Sequence, residues 1–351
     1  MKEDFKILLM RTPFYEIHKE LGARFTDFNG WEMPLQYSGI VEEVRAVREE
    51  AGVFDISHMG RLLISSGDAF NVLQQLTTNN LEKLKPGKVQ YNLLTNERGG
   101  VKDDITLYML SQDKFFICVN AGNRDKVKEW LGRYLPVEDL SQQTVQIALQ
   151  GRQSQKLLSE FYEVSNLRYY HFKTFGDTII SRTGYTGEDG FEIYAPVEEG
   201  LKLFRELVQK AKPCGLGARD VLRIEAGFPL YGHEISEDIT PLEANLDRFV
   251  DLSKNFVGKE AMLKRDLRRK LFGLELLERG VPREGYEILK DGKVVGVVSS
   301  GTFSPTLDKG IALCFVELDE RREGNGVLLR VRNRSLRGVL RNYPFIKRPK
   351  G

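Results

Sequence analysis

The chain changes character near residue 270, where a mixture of helical and extended patterns gives way to a series of short strands. Asp291-Gly292 separates two extended runs, 287–290 and 293–298, and this dipeptide is a strong signal for a two-residue hairpin turn. Further strand-like runs follow at 311–316, 327–332 and 336–340. The residues from 270 onward are therefore predicted to form a separate all-β unit.

The region before residue 270 alternates helices and strands without the regular rhythm of a parallel sheet. Residues 61–135 predict a strand, a helix, three strands and a helix, and the three strands are 90–94, 105–110 and 114–119. This order is typical of an α+β unit with a mostly antiparallel sheet. Ile40, Val41, Val44 and Val47 recur at helical spacing, which predicts an amphipathic helix ending near Gly52. Further helices are predicted at 201–208, 217–225 and 259–269.

Composition narrows the functional class. Lys plus Arg number 52 and Asp plus Glu 50, a net charge of +2 that argues against a generic nucleic-acid coat. No run reaches the roughly 18 apolar residues of a membrane span, and the amino terminus resembles neither a secretory signal nor a transit peptide. The three cysteines lack CxxC spacing, so no disulfide framework is expected. We therefore expect a cytoplasmic, multi-domain globular protein.

The charge is uneven along the chain. Ten basic residues lie between Arg321 and the end, against Glu323 alone. Basic and apolar residues alternate from Leu329 to Arg332, which predicts a strand with one solvated face. The segment is interpreted either as a docking face for an acidic partner or ligand tail, or as an ordinary solvated strand face with a frayed tail.

Three acidic positions could carry chemistry. Asp103 and Asp104 open the strand predicted at 105–110, and because adjacent strand residues point to opposite faces, only one of them can face a given cavity. Glu192 lies within a predicted strand between Phe191 and Ile193. If those neighbours are buried, its carboxylate faces the other side, where it needs a partner or a ligand.

Arg219 stands near the predicted start of a helix, where its charge opposes the helix dipole. It either pairs with Asp220 or holds an anion. His58 is polar among apolar neighbours, and a buried, hydrogen-bonded structural histidine is favoured over a catalytic one. The four histidines show no metal-ligand spacing, so no metal site is expected. There is also no G-x-S-x-G elbow and no dinucleotide fingerprint.

Seven collinear segments resemble one family over most of the chain. The sequence is similar to the aminomethyltransferases, the T-proteins of the glycine cleavage system. The matching segments are 28–34 (FNGWEMP), 54–60 (FDISHMG), 96–104 (NERGGVKDD), 181–192 (SRTGYTGEDGFE), 215–220 (GLGARD), 255–261 (NFVGKEA) and 300–307 (SGTFSPTL).

The resemblance implies an α+β fold of three domains in a cloverleaf around a central folate channel. The implied domains are a discontinuous folate-binding unit (1–55 plus 140–265), a ferredoxin-like α+β unit carrying Asp104 (56–139) and a C-terminal β-barrel or jelly-roll module (270–351). The implied activity transfers a one-carbon unit from the aminomethyl-lipoyl arm of H-protein to tetrahydrofolate, with release of ammonia. H-protein would be the direct partner, with P- and L-proteins in the same system, and neither a metal, a membrane nor a nucleic acid would take part.

The resemblance also implies roles for individual residues. Asp104 corresponds to the catalytic carboxylate and Glu192 to the pterin-binding glutamate. Arg219 corresponds to an arginine that meets the carboxylates of the folate tail. The positions of three further residues line the same channel in relatives: Tyr91, Tyr108 and Asn120. The chain departs from the family after Pro344-Phe345, where relatives carry a tyrosine near the folate tail and this sequence does not.

Three other functions compete with this one. A relative of flavin-dependent demethylases would need the flavin half, which the chain lacks. The branch linked to iron–sulfur cluster maintenance and tRNA modification carries a cysteine where this sequence has residues 254–260 without one. A folate-binding regulatory protein without activity is disfavoured by Asp104 and Glu192, and an assay would exclude it.

Overall fold

The structure, a computed structural model, describes residues 9–346. Val44 and Val47 are fully buried on a single face of their helix, as the apolar spacing predicts. Within the described range the α-helices are α1 (Tyr15–Glu20), α2 (Ile40–Glu49), α3 (Ala69–Leu76), α4 (Arg124–Gly132), α5 (Ser154–Leu158), α6 (Val197–Leu207), α7 (Leu216–Ala226) and α8 (Lys259–Lys264).

The strands of the first half of the chain are β1 (Arg24–Phe28), β2 (Trp31–Gln36), β3 (Gly52–Asp55), β4 (Gly60–Ser65), β5 (Val89–Thr95), β6 (Val101–Ser111), β7 (Lys114–Val119), β8 (Val137–Asp139) and β9 (Thr144–Gln150). Those of the second half are β10 (Phe172–Phe175), β11 (Thr178–Ser181), β12 (Gly190–Pro196), β13 (Lys212–Pro213), β14 (Arg269–Leu276), β15 (Glu287–Lys290), β16 (Lys293–Ser304), β17 (Lys309–Glu317), β18 (Gly326–Val331) and β19 (Arg334–Arg341).

Two open sheets precede the barrel. The order of the first is β10-β11-β12-β9-β3-β13, antiparallel except for the pairing of β13 with β3. The second is the predicted antiparallel sheet, β5-β6-β7-β4-β8, with α3 and α4 packed against its apolar face. A separate hairpin, β1-β2, lies near the amino terminus. The α+β class expected from the sequence is confirmed, while the exact division into domains stays a prediction.

The final strands close into a six-stranded barrel of order β14-β17-β16-β15-β18-β19. Its interior is filled by alternate apolar residues such as Phe272, Leu274 and Leu329. Asp291 and Gly292 both have positive φ, 48° and 78°, as a type I′ hairpin turn requires. Closure leaves no free sheet edge, and the predicted all-β module is confirmed as a barrel.

One predicted helix is shorter than expected. The pattern from 259 to 269 predicted a continuous helix, but α8 ends at Lys264, and Arg265 is already extended with ψ of 133°. Arg269 instead begins β14 and pairs with Glu317 in the barrel. Strand pairing in the barrel therefore overrides the local helical pattern, as tertiary contacts often override local propensity.

Candidate active site

A cavity of about 770 Å³ lies where the two open sheets and the barrel meet. Its wall includes Asn29 beside the first hairpin, Asp104 on β6, Glu192 on β12, Arg219 on α7 and Tyr343 beyond β19. The volume is within the range of about 300–1,000 Å³ typical of small-molecule sites. Segments remote in sequence thus supply polar groups to a single enclosed space.

Asp104 presents its carboxylate to this cavity, while Asp103 points into the protein. Tyr91 Oη donates to Asp104 Oδ2 at 3.0 Å, and Asn120 Nδ2 donates to Asp104 Oδ1 at 2.6 Å. Tyr91 reaches it from β5, the strand paired with β6, and Asn120 follows β7 on the other side. The sheet register therefore fixes the carboxylate between two donors.

Asp103 is fully buried and satisfied by the loop after β7. Its oxygens accept hydrogen bonds from the backbone N–H of Asn120 (3.1 Å) and from the side chains of Asn120 (2.9 Å) and Asn123 (2.6 Å). Burial and the neighbouring charge of Asp104 raise the pKa of Asp103 to about 7. Burial also raises the pKa of Asp104. This pair of carboxyl groups can therefore hold or release a proton near neutral pH.

Glu192 faces the cavity, as expected if its neighbours on β12 are buried; Phe191 and Ile193 are both fully buried. Thr183 Oγ1 donates to Glu192 Oε2 at 2.6 Å, and Gln146 Nε2 lies 3.4 Å from Oε1. Burial raises the pKa of Glu192, which these two contacts and the charge of Arg219 oppose. The carboxylate keeps lone pairs for a ligand with N–H donors.

Arg219 has no carboxylate partner among the described residues. Its guanidinium carbon lies 4.7 Å from the ring centroid of Tyr185, and Tyr185 in turn stacks on Phe228. The ion pair with Asp220, one of the two alternatives for Arg219, is formed by Arg223 instead, at 2.9 Å. Burial lowers the pKa of Arg219, against the opposing influence of nearby groups that include Glu192. A half-buried guanidinium with free donors suits a carboxylate or carbonyl oxygen of a ligand.

The structure brings most of the predicted site residues together but leaves Tyr108 away from the cavity wall. Tyr91 and Asn120 line the cavity. Tyr108 is fully buried, and its hydroxyl contacts the hydroxyls of Tyr194 (2.8 Å) and Ser181 (3.1 Å) behind the wall. Any influence of Tyr108 on a ligand would therefore pass through those neighbours.

Several wall residues were not predicted. Tyr343 lines the cavity and its hydroxyl accepts a hydrogen bond from Asn245 Nδ2 at 3.0 Å, although it precedes the Pro-Phe pair. Phe249 packs against Tyr91 with ring centroids 4.6 Å apart, and the Arg248 guanidinium covers Phe249. The sequence signal for Tyr343 was its position next to Pro344. Arg248 and Phe249 lie outside all seven segments that resemble the family.

Buried ion pairs fix the position of α7, the helix that carries Arg219. Arg48 on α2 donates to Glu225 at 2.6 Å and to Glu188 at 3.0 Å. Arg223 donates to Glu234 at 2.9 Å and to Ser300 at 2.8 Å. These contacts connect α7, which carries Arg219, to α2 and to β16 of the barrel. Removing one partner of such a pair leaves a buried charge uncompensated.

Residues 9–346 contain neither a metal-binding cluster nor a membrane-spanning helix. No group of three or more His, Cys, Asp or Glu side chains is arranged to hold a metal ion there. No helix in this part of the chain is long and apolar enough to cross a bilayer.

Comparison with known proteins gives one consistent result. Residues 14–254 match the family model of the GCVT N-terminal domain, and residues 269–347 match that of the glycine cleavage T-protein C-terminal barrel domain. The aminomethyltransferase of Aquifex aeolicus is 65% identical over 342 residues, covering 97% of each chain. That of Natranaerobius thermophilus is 42% identical over 359 residues, covering 96% of this chain and 98% of the relative.

Solved structures agree with the sequence relatives. The glycine cleavage system aminomethyltransferase T from Bartonella henselae superposes with a TM-score of 0.92 at 33% identity, covering 97% of this chain and 98% of that one. Both family models and the full-length relatives match along nearly the whole chain. The chain therefore belongs to the aminomethyltransferase family, the T-proteins of the glycine cleavage system.

Proposed function

We propose that this aminomethyltransferase accepts its one-carbon unit from the aminomethyl-lipoyl arm of H-protein and delivers it to tetrahydrofolate. The observation that carries this proposal is the position of Asp104, a carboxylate held by Tyr91 and Asn120 at the wall of a cavity that also presents Glu192 and Arg219. Such an arrangement can bind a polar ring system and move a proton beside it.

The chemistry accounts for the choice of a carboxylate. In the transfer, the carbon loses its bonds to sulfur and to the amino nitrogen and forms two bonds to folate nitrogens. Two protons leave those folate nitrogens, and the departing sulfur and ammonia take up two. A carboxyl group whose pKa is raised toward neutrality can pass one of these protons, and its negative charge stabilises the developing positive charge on carbon.

Glu192 and Arg219 would hold the folate. The two oxygens of Glu192 suit the adjacent N–H donors of a pterin edge. Arg219 would meet the carboxylates of the glutamyl tail, which the planar guanidinium matches better than a lysine ammonium does. Its lack of a carboxylate partner within residues 9–346 and its contact with the Tyr185 ring support this role. Tyr91 and Asn120 would orient Asp104, and Tyr108 would act only from behind the wall.

The basic C-terminal region is a candidate docking surface for acidic H-protein or for polyglutamylated folate. Part of its charge is neutralised, because Arg330, Arg337 and Arg341 pair with glutamates of neighbouring barrel segments. Arg332 and Arg334 are exposed and form no ion pair with the described residues. Lys347, Arg348 and Lys350 lie outside the described residues. P- and L-proteins as functional partners, and a cytoplasmic location, remain predictions.

A reconstituted assay tests the proposed function. Purified protein is mixed with aminomethyl-loaded H-protein, with and without tetrahydrofolate, and ammonia and methylenetetrahydrofolate are measured. We expect both products to form rapidly only when tetrahydrofolate is present. The same H-protein preparation, tested with an active T-protein, is the positive control. If that control reacts and this chain does not, the proposed donor and acceptor are wrong.

A further inference from the structure

His58 occupies the cavity wall but takes no part in the site described above. It lies in the short turn between β3 and β4, with only 2% of its surface exposed, and it borders the cavity beside Asn29 and Arg219. The edge of its ring meets Phe28 at a centroid distance of 5.4 Å and an interplanar angle of 86°. The imidazole is therefore held in place by packing.

Neither ring nitrogen of His58 has a hydrogen-bond partner among the described residues, and Nδ1 is wholly buried. The nearby carboxylate of Asp55 is already occupied, because it accepts hydrogen bonds from Thr12 Oγ1 (2.6 Å), His18 Nε2 (2.9 Å) and the Ser57 backbone N–H (2.8 Å). A buried polar group without a hydrogen-bond partner destabilises the folded state. Three other residues of the described chain also have a buried side-chain atom without a hydrogen-bond partner, but none of those three borders the cavity.

The surroundings keep the ring uncharged. Burial and the positive charges of Arg219 and Arg61 lower the pKa of His58 to about 3, against the opposing charge of Asp55. A neutral imidazole offers one N–H donor and one lone-pair acceptor. Because Nδ1 is enclosed by protein, Nε2 is the nitrogen that a ligand in the cavity can reach, and it donates or accepts according to the tautomer.

We propose that His58 is a ligand-binding residue whose imidazole exchanges a hydrogen bond with the edge of the reduced pterin ring. This inference rests on the proposed function and adds a residue to its folate site. A pterin edge carries N–H donors as well as nitrogen and oxygen acceptors, and Nε2 of a neutral imidazole can pair with one of either kind in the corresponding tautomer. His58, Arg219 and Glu192 all line this same cavity.

Binding measurements separate this role from a structural one. His58→Phe keeps a flat ring of similar size without nitrogen atoms, and His58→Gln restores a donor and an acceptor. We expect His58→Phe to weaken binding of the unreactive probe 5-methyltetrahydrofolate about tenfold in calorimetry, and His58→Gln to recover part of the loss. The thermal midpoint of His58→Phe should be unchanged or higher, because an unpartnered buried polar atom is removed. A matched control is His171→Phe, whose Nδ1 contacts the Tyr169 carbonyl away from the cavity wall.

Nuclear magnetic resonance on the unmutated protein gives a second test. The ring nitrogens are labelled with ¹⁵N, and the His58 signal is identified by its absence from His58→Gln. We expect this signal to shift with 5-methyltetrahydrofolate and not with aminomethyl-loaded H-protein alone. A shift with H-protein only, or unchanged folate affinity in His58→Phe with a lowered thermal midpoint, overturns the inference while leaving the folate site intact. A wild-type protein that binds no folate overturns this inference and the proposed function together.

Discussion

Two arginines one turn apart on α7 have opposite surroundings. Arg223 is satisfied by Asp220, Glu234 and Ser300 at 2.8–2.9 Å. Arg219, four residues earlier, has no carboxylate partner within the described chain and contacts the Tyr185 ring. Asp220 lies three residues before Arg223 on the same helix, but Glu234 and Ser300 come from other segments, so the contrast depends largely on tertiary packing. The described chain provides hydrogen-bond partners for Arg223, which supports the fold, and leaves the N–H donors of Arg219 at the cavity free.

Two histidines show the same contrast. His18 Nε2 bonds Asp55 at 2.9 Å and its Nδ1 bonds the Tyr37 hydroxyl at 2.9 Å, so both ring nitrogens are used. His58, three residues after Asp55, has neither nitrogen paired among the described residues. Arg223 and His18, which support the fold, thus have their hydrogen bonds satisfied by the protein, whereas Arg219 and His58 at the cavity keep groups available to a ligand. Residue type alone does not reveal this difference.

Asp104→Asn should give the largest effect, because it removes both the charge and the proton acceptor from the cavity. We expect kcat to fall about 10²- to 10⁴-fold, while folding and folate affinity change little. Steady-state kinetics with saturating H-protein measures this. Asp103→Asn is the matched control, because Asp103 is buried on the other face of the strand. A greater loss of turnover in that control would show that the roles of the two carboxylates are reversed.

Arg223→Ala should have the next largest effect, on stability. Glu234 would remain buried without its cation, at a cost of about 3–5 kcal/mol in the free energy of unfolding. Arg219→Ala should cost less than about 1 kcal/mol, because no protein ion pair is broken. Denaturant unfolding of both variants measures the difference. Equal losses would mean that Arg219 is a structural residue after all.

Arg219→Ala and Glu192→Gln should weaken folate binding with only modest change in kcat. Loss of a hydrogen bond to a charged group costs about 1.5–3 kcal/mol, which corresponds to a rise of roughly 10- to 100-fold in the Michaelis constant for tetrahydrofolate. Arg219→Lys should recover little, because an ammonium does not reproduce the bidentate geometry. Initial rates over a range of folate concentrations give the answer. An unchanged Michaelis constant in both variants would place the folate elsewhere.

A final prediction concerns the pH dependence of folding stability. Burial beside Asp104 raises the pKa of Asp103 to about 7, whereas an unfolded aspartate titrates near 3.9. The folded state thus holds this proton more tightly, and the stability it contributes is full below about pH 4 and lost as pH rises through 7. Asp103→Asn cannot lose the proton. The stability of the wild type relative to Asp103→Asn should therefore fall between pH 4.5 and 7.5 in parallel unfolding experiments, and a rise would contradict the assignment.

The sequence was informative where a pattern is local. The alternation at Asp103-Asp104 predicted that the two carboxylates face opposite ways, and the structure agrees. Asp291-Gly292 predicted the hairpin turn, because both positions need positive φ. The extent of α8 could not be predicted in the same way, because the strand that ends the helical pattern depends on barrel partners such as Glu317, more than 40 residues away.

The site was predictable only in part. Glu192 and Asp104 could be proposed from strand position and motif, but nothing in their spacing shows that Asn29, His58 and Tyr343 would share one cavity with them. The sequence favoured a hydrogen-bonded His58, and this prediction is wrong for the described structure. The neighbouring Asp55 already accepts hydrogen bonds from other donors. Such competition for partners appears only when distant segments meet.

Tyr343 joins the segment after the barrel to the cavity wall. It packs closely against Gly227, and the next residues are held by a hydrogen bond from the Phe345 N–H to the Glu225 carbonyl at 2.9 Å. The cavity wall is thus completed by a segment that follows the last barrel strand, outside the sheets that carry Asp104 and Glu192. Ligand binding in the cavity and docking of this segment on α7 should therefore stabilise each other.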